Sequence, residues 1–173
     1  AAAAVLIPGL ICISNSLNKA FCETSPSTIE ALRLLDQETD LRSFISNWLR
    51  GRERSVFEFT QEAVVADEKR TDLRLHPRSM QGYATVELKR ETWSISELEA
   101  ALHDQLVGQY LQHERCQVGC PLICQGAQKQ WQNPEGGKRW GLQEVVAHLQ
   151  AQANSLMSLN PNLHLSVKGI NYS

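Results

Sequence analysis

Three residues carry the clearest chemical signal in the chain. Asp72 is followed fifteen positions later by Glu87, and Lys89 stands two positions beyond that. Hard divalent cations such as Mg²⁺ or Mn²⁺ take oxygen ligands, commonly one or two carboxylates together with water and substrate phosphate. A cation held in this way polarises a phosphorus centre and lowers the pKa of its bound water. An ammonium beside it can hold or deprotonate the attacking water and offset charge in the transition state. Asp72 and Glu87 are therefore candidate metal ligands. The backbone carbonyl of Leu88 is an additional one, and Lys89 is the candidate for placing or activating water. A set of this kind suits the cleavage of phosphodiesters.

These side chains meet only if adjacent strands present them. Thr71–His76 alternates, with Leu73 and Leu75 on one face and Asp72, Arg74 and His76 on the other. Tyr83–Lys89 alternates again, so Glu87 and Lys89 share a face while Leu88 turns into the core. Val56–Val65, rich in aromatic and β-branched residues, reads as a strand before them. Short turns at 66–70 and 77–82 join the three into an antiparallel meander. Upstream, helices are expected from about Ser27 and from Asp40 to Arg50, the second closed by Gly51. Downstream, Ser94 with Glu97, or alternatively Ser96 with Glu99, reads as a capping box for a helix reaching His113. A buried strand over Gly119–Gln125 follows, and a further short strand ends at Trp131. A helix over Leu142–Leu159 and a last strand over Leu163–Val167 complete the chain. The expected fold class is α/β (α+β), a mixed central sheet flanked by helices in the order α-α-β-β-β-α-β-α-β.

On the helix after the meander, Gln109 falls inside the apolar stripe and Gln105 on its edge. Buried amides need partners, so both are expected to face the sheet with something to bond.

Asp72 followed by Glu87-Leu88-Lys89 on the next strand resembles the signature of the PD-(D/E)XK nucleases. The element order is similar to the restriction-endonuclease-like core of that family, over about residues 40–172. Thr71 stands where the family name has proline. The resemblance implies a metal-dependent nuclease that uses Mg²⁺ or Mn²⁺ and acts on nucleic acid, DNA before RNA. A further acid often precedes the aspartate in this family, and Glu62, ten residues upstream, is the candidate. The recombination helicase-nuclease branch carries a Gln followed by a Tyr on this helix, usually four residues apart. Gln105 and Tyr110 are five apart, so either Tyr110 or Gln109 takes the second part. Gln105 would orient the site, while Gln109, Tyr110 and Arg90 would meet substrate. Such domains often serve as effectors in bacterial defence or restriction proteins, fused to a sensor or ATPase domain; homo-oligomers are also expected. The rival reading is a catalytically silent nucleic-acid-binding or assembly module on the same scaffold.

Other motifs rank lower. A second acid-x-Lys triplet, Asp67-Glu68-Lys69, lies in a polar turn without apolar alternation and reads as solvated loop. His113, Cys116, Cys120 and Cys124 lack the CxxC spacing of a zinc knuckle, and two of them flank the buried strand. Arg50, Arg52 and Arg54 suit a helix end as well as a phosphate. The Gly-rich stretch between Trp131 and Trp140 has no phosphate-loop pattern.

The chain has 173 residues, 42% hydrophobic and 21% charged, enough for one sizeable core and too apolar for disorder. Its net charge of −2 lacks the basic excess common in nucleic-acid binders. Metal-binding acids lower any whole-chain sum, so phosphate affinity must come from local arginines, a metal or a second subunit. No apolar run reaches the roughly 18 residues of a membrane span. Five cysteines, an odd count in a mid-sized chain, favour a reducing, cytoplasmic setting over a disulfide scaffold. Residues 1–27 are expected to be an extension continuing from an upstream region, and residues 28–173 a single domain.

Overall fold

The computed structural model describes residues 26–35, 37–52, 57–64, 70–77, 83–112 and 118–173. Two helices lead, α1 (Pro26–Arg33) and α2 (Glu38–Arg52). The meander follows as β1 (Phe57–Val64), β2 (Arg70–Pro77) and β3 (Ala84–Arg90). A helix α3 (Ile95–Ala100) runs on into a π-helical segment (Ala101–Tyr110) and leads to β4 (Val118–Gln125). The chain then forms α4 (Leu142–Leu159), β5 (His164–Leu165) and β6 (Lys168–Asn171).

The result is a mixed α/β fold with a central sheet flanked by helices. The sheet order is β1-β2-β3-β4-β5, with β6 also on β4. The meander is antiparallel, whereas β3–β4, β4–β5 and β4–β6 are parallel. A parallel neighbour requires a crossover, and α3 with the π-helical segment supplies it between β3 and β4. Two apolar layers result. Leu73, Leu75, Val86 and Leu88 pack with Leu41 and Ile45 of α2 on one side of the sheet. On the other side Ile123 packs with Leu102 and Leu106 of the crossover and Val145 and Leu149 of α4. A central parallel strand covered on both faces must be apolar throughout, and β4 is buried from Gly119 to Gln125.

Several sequence expectations needed correction. Gly51 does not close α2, which runs on to Arg52. An added Cβ there would meet nothing within 4 Å, so an exposed last turn tolerates the glycine. The single last strand is two pieces on successive stretches of β4. The break falls at Val167, whose amide donates to Gln150 Oε1 of α4 at 2.8 Å instead of to the ladder. The short strand near Trp131 reduces to one antiparallel bridge, Trp131 with Trp140. The helix expected to reach His113 keeps its capping box at Ser94 and Glu97 but is α-helical only to Ala100. Beyond that its bonds run from i to i+5, as in Leu111 N–H to Leu106 O at 3.0 Å. No helix among the described residues is long and apolar enough to cross a membrane.

Candidate functional site

The described register of β2 with β3 runs from Leu75↔Ala84 to Leu73↔Val86. One step further, the Leu88 amide donates to Asp72 Oδ2 at 2.8 Å. A side-chain carboxylate thus takes an amide that faces the neighbouring strand. The N–H and C=O of one residue in an extended strand point to the same edge. The Leu88 carbonyl therefore lies on the Asp72 side of β3, as a metal ligand there would require. The second oxygen, Asp72 Oδ1, pairs with Arg42 Nε of α2 at 2.6 Å.

Period-two alternation puts Glu87 and Lys89 on the face opposite Leu88, and Lys89 Nζ donates to Glu87 Oε1 at 2.8 Å. Three ionisable side chains are buried here. Asp72 is 7% exposed, Glu87 3% and Lys89 5%. Burial is the largest cause that pushes the Glu87 carboxyl from 4.5 up to about 7. The neighbouring Asp72 charge adds to the rise, and Lys89 works against it. Glu87 Oε1 also accepts from Gln105 Nε2 at 2.6 Å, while the buried Glu87 Oε2 has no hydrogen-bond partner among the described residues. An unpartnered buried carboxylate oxygen is costly. Beside a second carboxylate and a backbone carbonyl, it supplies the all-oxygen donor set that Mg²⁺ or Mn²⁺ prefers. The residues present therefore fit such a cation. Among the described residues no group of three or more His, Cys, Asp and Glu side chains converges on one point. The donor set here consists of two carboxylates and a carbonyl.

The π-helical segment explains the five-residue spacing of Gln105 and Tyr110. In an α-helix positions five apart diverge by about 140°. With i to i+5 bonding they return to one side. Gln105 Nε2 accordingly donates to both Glu87 Oε1 and the Tyr110 hydroxyl, the latter at 2.9 Å. Tyr110 is buried, and its hydroxyl is raised above its usual range, chiefly by burial. Of the two alternatives, Tyr110 is the residue in contact with Gln105. Gln109 corrects another expectation. It is half-buried, and its amide has no partner among the described residues. The change of helical pitch moves it out of the stripe that a 3.6-residue period assigns it.

The remaining candidates are placed as follows. The backbone of Glu62 lies on β1 between Gln61, which faces Leu73, and Ala63, which faces Thr71. This sets it level with Asp72, and its side chain lies outside the described residues. Arg90 shares the strand face of Leu88, not that of Glu87 and Lys89, and its Nη2 lies 3.5 Å from Glu91 Oε1. Cys120 and Cys124 are buried free thiols. Burial pushes Cys120 up to about 12 and raises Cys124 as well, so neither is a ready thiolate. His113, Cys116 and the Asp67–Lys69 triplet lie outside the described residues.

Two contributors were not found from the sequence. Arg42 is one, through its pair with Asp72. Glu38, in the first turn of α2, is the other. Its carboxyl is raised first by burial, and it feels Lys89, Asp72, Arg42 and Arg90 in turn. A helix start read at Asp40 left Glu38 outside the element. Its membership of the first turn, with Leu41 and Ile45 fixing the buried side, was the available signal.

No family model matches the chain, and no curated protein matches it. One solved structure, a protein of unknown function from Silicibacter pomeroyi, is similar at 17% identity, over 75% of this chain and 97% of that one. Its TM-score is 0.37.

Proposed function

We propose that the chain is a metal-dependent nuclease domain on a restriction-endonuclease-like core of the PD-(D/E)XK kind, hydrolysing phosphodiester bonds, in DNA before RNA. One observation carries the reading. Where β2 and β3 meet, Asp72 takes the Leu88 amide, while Glu87 and Lys89 pair beside it with one carboxylate oxygen buried and unpartnered. Burying charge is expensive unless a task or a partner compensates it.

Asp72, Glu87 and the Leu88 carbonyl would hold Mg²⁺ or Mn²⁺. Such a cation, when bound, acts as a Lewis acid on a phosphate oxygen and lowers the pKa of water. Lys89 donates a hydrogen bond to the attacking water and balances charge gathering on the phosphate oxygens. Gln105 fixes the orientation of Glu87 and is itself braced by Tyr110. Arg42 orients Asp72 through its Oδ1. Glu38, whose carboxyl feels the charges of Lys89 and Asp72, is a second candidate for the further acid that the resemblance assigns to Glu62. The water oxygen bonds to phosphorus as it loses a proton, the P–O bond to one sugar breaks, and the departing oxygen takes up one proton, so none is gained or lost overall.

The experiment is incubation of the purified chain with plasmid, linear DNA and RNA, in Mg²⁺, in Mn²⁺ and in EDTA. Cleavage that needs the metal and disappears in Asp72→Ala and Lys89→Ala is the expected result. A Lys89→Ala chain that cuts as fast as the parent refutes the mechanism. The silent module keeps one observation in its favour. Asp72 already pairs with Arg42, and Glu87 with Lys89. Absence of heat on titration with either metal would select that reading.

A further inference from the structure

A pocket of about 340 Å³ opens beside the buried acids, lined by Trp93, Ala100, Asp104, Gln105 and Gln109. Two of its walls touch the candidate site. Gln105 Nε2 is 2.6 Å from Glu87 Oε1, and Lys89 Nζ sits 4.3 Å from the centre of the Trp93 ring. Trp93 is firmly held. Its amide donates to Arg90 O at 3.2 Å, and its carbonyl accepts from Trp131 Nε1 at 2.9 Å. Its indole N–H has no partner among the described residues, and neither do the Asp104 carboxylate and the Gln109 amide.

The lining determines what can enter. It contains two carboxylates, Asp104 and Glu97, and no cation. Glu97 is already committed to the capping box, where it accepts from Ser94 N and Oγ, each at 2.7 Å. Such a wall repels phosphate. It offers an aromatic ring, the methyl groups of Ala100 and Ala101, a carboxylate acceptor and an amide that both donates and accepts. This combination suits a flat heteroaromatic ring with exocyclic amino groups. The volume is at the lower end of the roughly 300–1,000 Å³ of small-molecule sites, which limits the occupant to a small group.

We infer that this pocket receives a nucleobase from the nucleotide next to the phosphate held at Glu87 and Lys89, stacked on Trp93 with its amino group on Asp104. The inference rests on the nuclease reading for what lies at Glu87, and it adds a substrate class. A base in this pocket has left its stack, so the substrate is a single strand, a frayed end or a flipped nucleotide. Carboxylate acceptance from an exocyclic amino group is an established form of base readout.

The test separates base binding from cleavage. The 173-residue chain is titrated in EDTA against fluorescent oligomers of about ten nucleotides, within the site sizes of single-strand grooves. The oligomers are oligodeoxycytidylate, oligothymidylate, a base-free sugar-phosphate strand and a duplex, and anisotropy is the readout. The base-bearing single strands should bind more tightly than the base-free strand. Trp93→Ala should reduce that advantage by about 5- to 150-fold, with most of it retained in Trp93→Phe. Asp104→Ala, at an exposed position with little risk to folding, should weaken oligodeoxycytidylate more than oligothymidylate. Equal binding of the base-free strand by the parent overturns the pocket, and so does full base preference in both Trp93→Ala and Asp104→Ala. Base-dependent binding by a chain that cleaves nothing with Mg²⁺ or Mn²⁺ supports the pocket and removes the nuclease. Cleavage without base-dependent binding does the reverse.

Discussion

Raising the pH of the metal-free chain from about 5 to about 8 should remove about 2 to 3 kcal/mol of stability through Glu87 alone. Its carboxyl titrates near 7 in the folded chain against a free value of 4.5. Between those values the native state keeps a proton that the unfolded state has lost, so stability falls as pH rises through this window. Below about 4.5 both states are protonated and the penalty vanishes; above about 7 both are ionised and it is complete. The whole gap, at about 1.4 kcal/mol per pH unit, amounts to about 3 kcal/mol. Other groups contribute. Glu38 is also raised and acts in the same direction, while His76 is lowered, chiefly by burial, and acts against them as pH falls. A difference measurement removes both. Urea unfolding of the parent and of Glu87→Gln, in EDTA at several pH values, should give curves that diverge across the window. Glu87→Gln keeps the shape of the side chain and removes its ionisable proton. Parallel curves would show that Glu87 ionises normally, and the case for a site built on its buried charge would collapse.

Four further outcomes are expected. If Mg²⁺ binds only ionised Glu87, its apparent affinity should rise about tenfold between pH 6 and pH 8, and calorimetry that finds no change counts against Glu87 as a ligand. Arg42→Ala should destabilise the chain by about 3 kcal/mol by leaving Asp72 without its ion pair, a loss readable in urea melts at neutral pH. Deleting Gly108 places Tyr110 four positions after Gln105, so the helix should regain α-helical pitch with the Gln–Tyr bond intact and cleavage retained; loss of cleavage in a folded deletion variant would mean that the wider turn itself is needed. Gly126→Ala would drive a Cβ into the Tyr172 ring, and thermal melts should show the overpacking cost of about 1–3 kcal/mol.

Strand alternation was enough to read much of the site. With a period of two, Glu87 and Lys89 had to share a face and Leu88 had to enter the core, and the structure places them so. The capping box at Ser94 and the helix Leu142–Leu159 were equally legible, because caps and apolar stripes are local properties. Arg42 was not legible. It lies thirty residues from Asp72, and nothing in the spacing of its own helix marks it as a partner for a strand. The π-helical pitch was hidden for a related reason. Residues Ala101–Tyr110 have an ordinary helical composition, and the wider turn accompanies contacts that tie Gln105 to Glu87 and Tyr110 to Gln105. The break between β5 and β6 depends on Gln150, a side chain of a different element.

The parallel pairing of β3 with β4 has a consequence for the order of folding. The meander closes over short connections, whereas β4 can join only after the crossover has been laid down, and long closures are slower. Asp72, Glu87 and Lys89 are therefore expected to come together first, on an antiparallel ribbon whose crossover side is still uncovered. Gln105 and Tyr110 are expected to join with the crossover and to cover that side. The electrostatic cost of burying the site is thus expected to fall in the same step that buries Leu102, Leu106, Ile123, Val145 and Leu149.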